Sequence, residues 1–260
     1  MDISIVMPAY NEGPRIFDNI VETVRTMEGI CQSCELIVVD DGSKDNTHEE
    51  AQRAAARFPN VQAVRYANNG GKGNALKYGF PYATGDLVAF LDADLDLHPR
   101  QLKTFLEYMQ KHDADVVIGS KRHKLSQIDY PLQRRVLSTG YSMLIKTLFD
   151  LSVKDTQTGI KLFKRQVLEE VFPKLLVKRY AFDLELLVNV RHRGYSIAEA
   201  PIVLNFQRGR FGRIGFKEIK PIAIDTAAIF YRLRILKYYD SPDGNERKVS
   251  IDSHSSESTE

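Results

Sequence analysis

Cysteine is nearly missing from this chain, which has two among its 260 residues, Cys31 and Cys34. No second pair exists to complete a zinc site, and their C-x-x-C spacing precedes a strand-like run instead of opening a helix after one, so no redox role is expected. The histidines are scattered at 48, 98, 112, 123, 192 and 254, which leaves no histidine-based metal centre; His98 alone stands near a candidate site. No stretch approaches the roughly 18 uncharged apolar residues of a spanning helix. The best run, Ile219 to Tyr231, is broken by Lys220, Pro221 and Asp225. Charge of one sign is not in excess either: 36 Lys and Arg face 34 Asp and Glu. A nucleic-acid partner is therefore not expected, and any electrostatic message must be local. No apolar run follows a basic start at the N-terminus, so the expectation is a chain that faces a reducing cytoplasm. There is no internal repeat.

With 43% hydrophobic residues the chain can bury a sizeable core as one main domain. Short β-branched runs predict strands at Ile3–Met7, Leu36–Val39, Val61–Arg65, Leu87–Leu91 and Val116–Ile118. Between them Ile16, Ile20, Val24 and Met27 recur at helical spacing, as do Leu102, Phe105, Leu106 and Met109. Strand–helix alternation predicts an α/β fold, a parallel sheet with helices on both faces, whose ligands bind beyond the carboxyl ends of the strands. Polar residues collect at those ends: "PAYNE", "DDGSKDNT", "DADLD" and "GSKR". A helix is expected from about Arg134 to Phe149. From about Asn205 to Tyr239 eight basic side chains outnumber two acidic ones and interleave with apolar residues. After Asp240 the composition cannot offset its ordering entropy, and the tail is expected to be disordered.

Asp92, Asp94 and Asp96 follow the fourth strand at alternate positions, which on an extended segment would point them the same way. Like charges crowd at a cost unless a cation neutralises them, and oxygen ligands suit magnesium or manganese. A calcium loop of the EF-hand type starting at Asp92 is excluded, because Leu97 and Lys103 stand where it needs glycine and glutamate. Three solvated aspartates at a strand end are the bland alternative. Asp41, at the tip of the second strand before the Gly42 turn, is placed to accept from a base or a ribose, while Asp45 or Asn46 has the chemistry of a helix N-cap. "NNGGKGNAL" is not a Walker A loop, yet its amides and Lys72 suit a diphosphate. Lys121, Arg122, Lys124, Arg134 and Arg135 concentrate positive charge near the fifth strand, as a phosphate site or as a solvated loop. Asp155, Asp183 and Glu185 are the remaining acidic candidates, and Asp183 equally suits the first turn of a helix.

Taken in order, "VMPAYNE", "VVDDGSKDNT", "GGKGNAL", "DADLD", "GSKR" and "DTQTGIKLF" resemble the family 2 glycosyltransferases, GT-A enzymes that use nucleotide-sugar donors. "DTQTGIKLFKR", "RYAFDLELL", "IAEAP" and "YRLRIL" are most similar to the dolichyl-phosphate β-glucosyltransferases among the polyprenyl-phosphate group. The resemblance spans roughly residues 2–238. It implies that Pro8, Tyr10, Glu12 and Asp41 hold the nucleoside and that Asp92 and Asp94, with Asp96 as a third candidate, bind Mg²⁺ or Mn²⁺ and the donor diphosphate. Arg122 and Arg134 fall where acceptor-phosphate arginines are expected, and Asp94, Asp155, Arg122 and Arg134 form the expected catalytic set.

The implied activity is inverting transfer of a sugar, with UDP-glucose the implied donor, to a polyprenyl or dolichyl phosphate. A lipid phosphate arrives already ionised and needs no strong base. A hydroxyl acceptor, by contrast, needs Asp155 or Asp183 to take its proton, and a silent nucleotide-sugar-binding module needs neither. The expected organisation is a GT-A domain at 1–207, a basic amphipathic segment at 208–239 suited to a membrane surface or to packing on the domain or a second copy, and a tail at 240–260. Peripheral attachment to the cytoplasmic face of a membrane follows as the expected location.

Overall fold

The computed structural model describes residues 2–126, 132–179, 181–204 and 216–240, except for the side chains at 132–139, 142 and 216–219. The chain forms a seven-stranded sheet in the order β3-β2-β1-β4-β6-β5-β7. Its strands are β1 Asp2–Ala9, β2 Ser33–Asp41, β3 Val61–Tyr66, β4 Leu87–Phe90, β5 Val116–Ser120, β6 Lys161–Lys164 and β7 Ile197–Pro201. Every pairing is parallel except those of β6, which runs antiparallel to both β4 and β5. The sheet is thus mostly parallel, as the alternation predicted, and β1 to β5 fall where the apolar runs placed them.

Helices cover both faces because the buried strands are apolar on both faces. Successive residues of β1 and β2 point to opposite sides, so Ile5, Met7 and Val38 join one core while Val6, Ile37 and Val39 join the other. The first core is closed by α1 (Ile16–Glu28), α2 (Thr47–Arg57) and α4 (Leu102–Lys111), the second by α3 (Lys72–Gly79), α5 (Leu132–Phe149), α6 (Arg165–Val171) and α7 (Phe182–His192). In α1 the expected stripe of Ile16, Ile20, Val24 and Met27 is buried. Cys31 and Cys34 are joined as a disulfide with Cα atoms 6.1 Å apart, at the amino end of β2 and away from the strands' carboxyl ends, which departs from the expectation of thiols kept reduced in a cytoplasm.

The boundary expected at 207 and the tail from 241 lie outside the described residues. Beyond that boundary α8 (Phe216–Phe230), a π-helical turn at Tyr231–Ile235 and a short 3-10 turn at Tyr238–Asp240 continue the chain. This segment is integral to the second core, in which Ile229, Leu233 and Tyr239 are buried. A polar clasp fixes it. Glu185, fully buried on α7, accepts from the Leu176 and Val177 amides at 2.9 and 2.7 Å and from Tyr239 Oη at 2.6 Å, and pairs with Arg232 at 3.2 Å. Among the described residues no helix is long and apolar enough to cross a membrane.

Removing one partner of such a buried pair strands the other, at a cost of about 3–5 kcal/mol. Glu185→Ala is therefore expected to lower the free energy of unfolding by that amount, as measured by urea denaturation followed by circular dichroism.

Candidate active site

The chain turns back after β3 and places β4 on the other side of β1, so the crevice between the carboxyl ends of β1 and β4 is the switch point of the sheet. A cavity of about 210 Å³ opens there, lined by Pro8, Ala9, Tyr10, Glu12, Asp41, Lys72, Asp92, Ala93 and Asp94. Seven sequence-expected residues, from three strand ends and one helix start, meet around it.

The loops after β1 and β2 form one body. Asn11 N–H donates to Ser43 Oγ at 2.9 Å, Glu12 N–H to Thr47 Oγ1 at 2.8 Å, and Gly13 N–H to Asp45 Oδ2 at 3.1 Å. Asp45 also accepts from Thr47 N–H at 3.1 Å, closing a turn just ahead of α2, whose N-cap position is Asn46. Gly42, at φ +65°, has no room for a side chain, because a Cβ would lie 2.8 Å from the Asn69 nitrogen.

Asp41 borders the cavity, but protein donors already occupy both of its oxygens. Oδ1 accepts from Tyr66 Oη at 2.5 Å and Gly70 N–H at 2.6 Å, and Oδ2 from Asn69 Nδ2 at 3.0 Å and Gly71 N–H at 2.9 Å. In this arrangement Asp41 folds the glycine turn that presents Lys72 at the start of α3.

The aspartates after β4 depart from the alternation argument. The strand ends at Phe90, and residues 92–96 form a turn in which Leu95 N–H donates to the Asp92 carbonyl at 3.3 Å and Leu95 takes φ +53°. Asp96 N–H donates to Asp94 Oδ1 at 3.1 Å. Residues 92–96 are therefore not extended, and strand alternation does not make the three carboxylates point alike; among the described residues no group of three His, Cys, Asp or Glu forms a ready metal cage. A pair at the cavity, Asp92 and Asp94, is what the turn presents. Burial, then the charges of Asp92, Asp96 and Glu12, raise the pKa of Asp94 to about 6 against a stabilising bond from the Asp96 amide.

Lys72 Nζ stands 2.5 Å from Asp92 Oδ1. Burial pulls this ammonium's pKa down, but Asp92, Asp183 and Asp94 outweigh it and hold the group above its ordinary value. Behind it lies a second cation that sequence reasoning missed. Because β6 is antiparallel, its first residue reaches the site, and Lys161 sits opposite Phe90. Lys161, 1% exposed, donates to Asp183 Oδ1 at 2.6 Å and to the Thr158 carbonyl at 2.5 Å. Its pKa is lowered by burial despite Asp183. The signal available was the lysine of "TGIK", masked by the lack of any hint that the strand reverses. The same turn brings Gly159 against the metal candidate, where a Cβ would lie 2.0 Å from Asp92 Oδ2.

Other expected residues lie elsewhere. Asp183 pairs with Lys161 and is buried. Asp155 accepts from Lys121 N–H at 3.2 Å and Gln157 N–H at 3.1 Å, bracing the "GSKR" loop outside the cavity lining. Arg122 follows β5 and is half-buried, while the side chains of Arg134 and Arg135, on the first turn of α5, lie outside the described residues. His98 turns away: its Nε2 meets Glu22 Oε1 at 3.0 Å and its Nδ1 accepts from Arg100 N–H at 3.2 Å, capping the turn before α4.

The residues at the cavity fit a hard divalent ion on two observations. An ammonium already stands on Asp92 as a cation in ion-pair contact, and the missing side chain of Gly159 leaves a cradle beside the other Asp92 oxygen. The donors are oxygen only, and two carboxylates with the remainder supplied by phosphate and water is the usual magnesium arrangement.

The model of the family described as "Glycosyl transferase family 2" matches residues 4–172. A dolichyl-phosphate beta-glucosyltransferase of Trichomonas vaginalis is 33% identical over 258 residues, covering 92% of this chain and 74% of that protein. Glycosyltransferase AglD of Haloferax volcanii is 31% identical over 204 residues, 78% of this chain and 33% of that one. Among solved structures, glucosyl-3-phosphoglycerate synthase from Mycobacterium tuberculosis in complex with Mn²⁺, uridine diphosphate and glucosyl-3-phosphoglycerate superposes with a TM-score of 0.66 at 22% identity, covering 93% of this chain and 81% of that one. At that identity the likeness is one of fold.

A carboxyl pKa raised to about 6 means that the charged form of Asp94 costs folding energy at neutral pH, a cost that fades as pH falls from 6 toward its ordinary value of 3.8. Without added metal, Asp94→Asn is expected to melt about 2–4 °C above wild type at pH 7.5, with the gap closing between pH 6 and 4 in calorimetry.

Proposed function

The chain belongs to the family 2 glycosyltransferases, and on that premise we propose that it transfers glucose from UDP-glucose to the phosphate of dolichyl phosphate or a related polyprenyl phosphate. The observation that carries this reading is the grouping of Lys72, Asp92 and Asp94 in the β1–β4 crevice. Glucose and the dolichyl acceptor follow the relatives, the uridine nucleotide also the fold neighbour.

An ionised phosphate oxygen attacks the anomeric carbon, the bond from that carbon to the nucleotide's terminal phosphate oxygen breaks with its electron pair, and the configuration inverts. No proton need move, so the chain's contribution is positioning and charge compensation. Asp92 and Asp94 would hold a divalent ion, magnesium or manganese, whose chemistry when bound would be to offset the charge of the departing diphosphate. Lys72, presented by the Gly70–Gly71 turn whose amides are spent on Asp41, faces the same diphosphate. Pro8, Tyr10 and Glu12 border the nucleoside, and Asp41 shapes the wall behind it. Arg122 and Arg134 receive the acceptor phosphate, with Asp155 fixing the loop that carries Arg122. A hydroxyl acceptor is the weaker reading, because both acids it needs as a base are engaged: Asp183 by Lys161 and Asp155 by two amides.

The lipid must be met at a surface. Tyr141 Oη lies 3.2 Å from Thr226 Oγ1 and Phe149 packs edge-on to Phe230, so α5 and α8 are joined. Both display apolar side chains to solvent: Met143 and Leu144 on one, Ile224 on the other, then Tyr231, Ile235 and Leu236 in the turns that follow. With Arg234 and Lys237 nearby, this face suits an anionic bilayer, and peripheral seating on a cytoplasmic leaflet is the reading it supports.

Given radiolabelled UDP-glucose, UDP-N-acetylglucosamine or GDP-mannose with dolichyl phosphate and Mg²⁺, the protein is expected to move label into the organic phase from UDP-glucose. Asp94→Asn should cost at least about a hundredfold in kcat, and Arg122→Ala should chiefly raise KM for the lipid. Label arriving only from another donor would redirect the assignment. In a separate sedimentation assay, anionic liposomes should retain the protein in a salt-sensitive way, and Ile224→Ser with Ile235→Ser should release it. Retention unchanged by those substitutions, or a dimer that vanishes with them, would assign the face to another use.

A further inference from the structure

Lys72 and a divalent ion lay claim to the same carboxylate. The ammonium stands 2.5 Å from Asp92 Oδ1, within the cavity that Asp94 also lines. A magnesium or manganese ion bonded to Asp92 would lie about 2.0–2.2 Å from an oxygen of that carboxylate. Two cations on one small carboxylate repel each other.

The lysine has an alternative partner. It sits at the first position of α3, directly after Gly71, on a long side chain about one-third exposed, and the cavity it shares with Tyr10 and Glu12 is the one proposed for the diphosphate. Asp183, held by Lys161 at 2.6 Å, adds its charge to the field on the lysine.

We propose that Lys72 is an exchangeable cation that competes with the divalent ion for Asp92, and that the donor's diphosphate relieves the competition by drawing the ammonium to itself. Metal and donor then load together: the ion alone must displace an ion pair, whereas the ion arriving with a diphosphate finds Asp92 released. Lys72 thereby acts twice, as a brake on metal uptake and as a ligand for the leaving group. This inference rests on the reading of Asp92 and Asp94 as metal ligands.

The test is Mn²⁺ titration followed by the electron paramagnetic resonance of the free ion, on the full chain, with folding of each variant checked by circular dichroism. Without nucleotide, Lys72→Met and Lys72→Gln are expected to bind Mn²⁺ about tenfold more tightly than wild type, since both the competing ion pair and a repelling charge are gone. Lys44→Met, which removes an exposed charge that is not on Asp92, should stay within about twofold of wild type. In the Lys72→Met background, adding Asp94→Asn should abolish the gain. UDP should tighten Mn²⁺ binding more in wild type than in Lys72→Met.

Equal or weaker Mn²⁺ binding by both Lys72 variants, alongside wild-type binding that UDP promotes and Asp94→Asn removes, overturns the exchange and leaves the metal assignment standing. Equal tightening by Lys44→Met overturns it as well, in favour of a diffuse field. If wild type shows no saturable Mn²⁺ binding even with UDP, the metal assignment fails and the exchange fails with it.

Discussion

The parallel pairing of β1 with β4 is the constraint on which the site depends. Ile3 to Val6 lie beside Leu87 to Phe90, so two strands separated by some eighty residues end side by side, pointing the same way. The loops that carry Tyr10, Glu12 and Asp41 come from β1 and β2, the aspartates from β4, and the gap between them is the crevice. A slip of one residue in this register would exchange the two buried faces of β4 and break both cores at once. Burial of apolar side chains on both sides of the sheet therefore fixes the distance between the charged groups at its edge.

Those charged groups make sense as a set. Running from β6 outward, Lys161, Asp183, Lys72 and Asp92 alternate in sign, and Asp94 adds one more negative charge. Three carboxylates against two ammoniums leave this series negative, and Glu12, which lines the same cavity, and Asp96 add to it, a balance that suits a divalent ion. The alternation also explains how Lys161 and Asp183 stay buried, because each neutralises the other and Thr158 satisfies a further lysine proton.

Much of this was legible in the sequence. The runs of β1 to β5 are strongly patterned, and the polar segments after β1, β2 and β4 declared which sheet edge carries chemistry. Lys72, Asp92 and Asp94 meet the residues of "PAYNE" around one cavity because each hangs on a strand end or helix start that periodicity placed. What escaped was the later half. β6 is four residues long, begins and ends with lysine, and reverses direction; β7 contains Glu199 and ends in Pro201. Neither offers the apolar run that marks a buried strand, so Lys161 and Gly159 could not be located. Asp155 and Asp183 looked free to act as bases because the Lys121 amide and the Lys161 ammonium that engage them lie 34 and 22 residues away in sequence. The three-aspartate alternation misled because it assumed that the strand continued through a segment that turns.

The Asp41 carboxylate has one more consequence. Its bonds to Tyr66, Asn69, Gly70 and Gly71 freeze the turn in front of Lys72 before any nucleotide arrives. The entropy of ordering that loop is thus paid during folding, and association with a donor is spared it. Preorganisation of this sort makes the glycine turn and the start of α3 a stiff wall of the cavity.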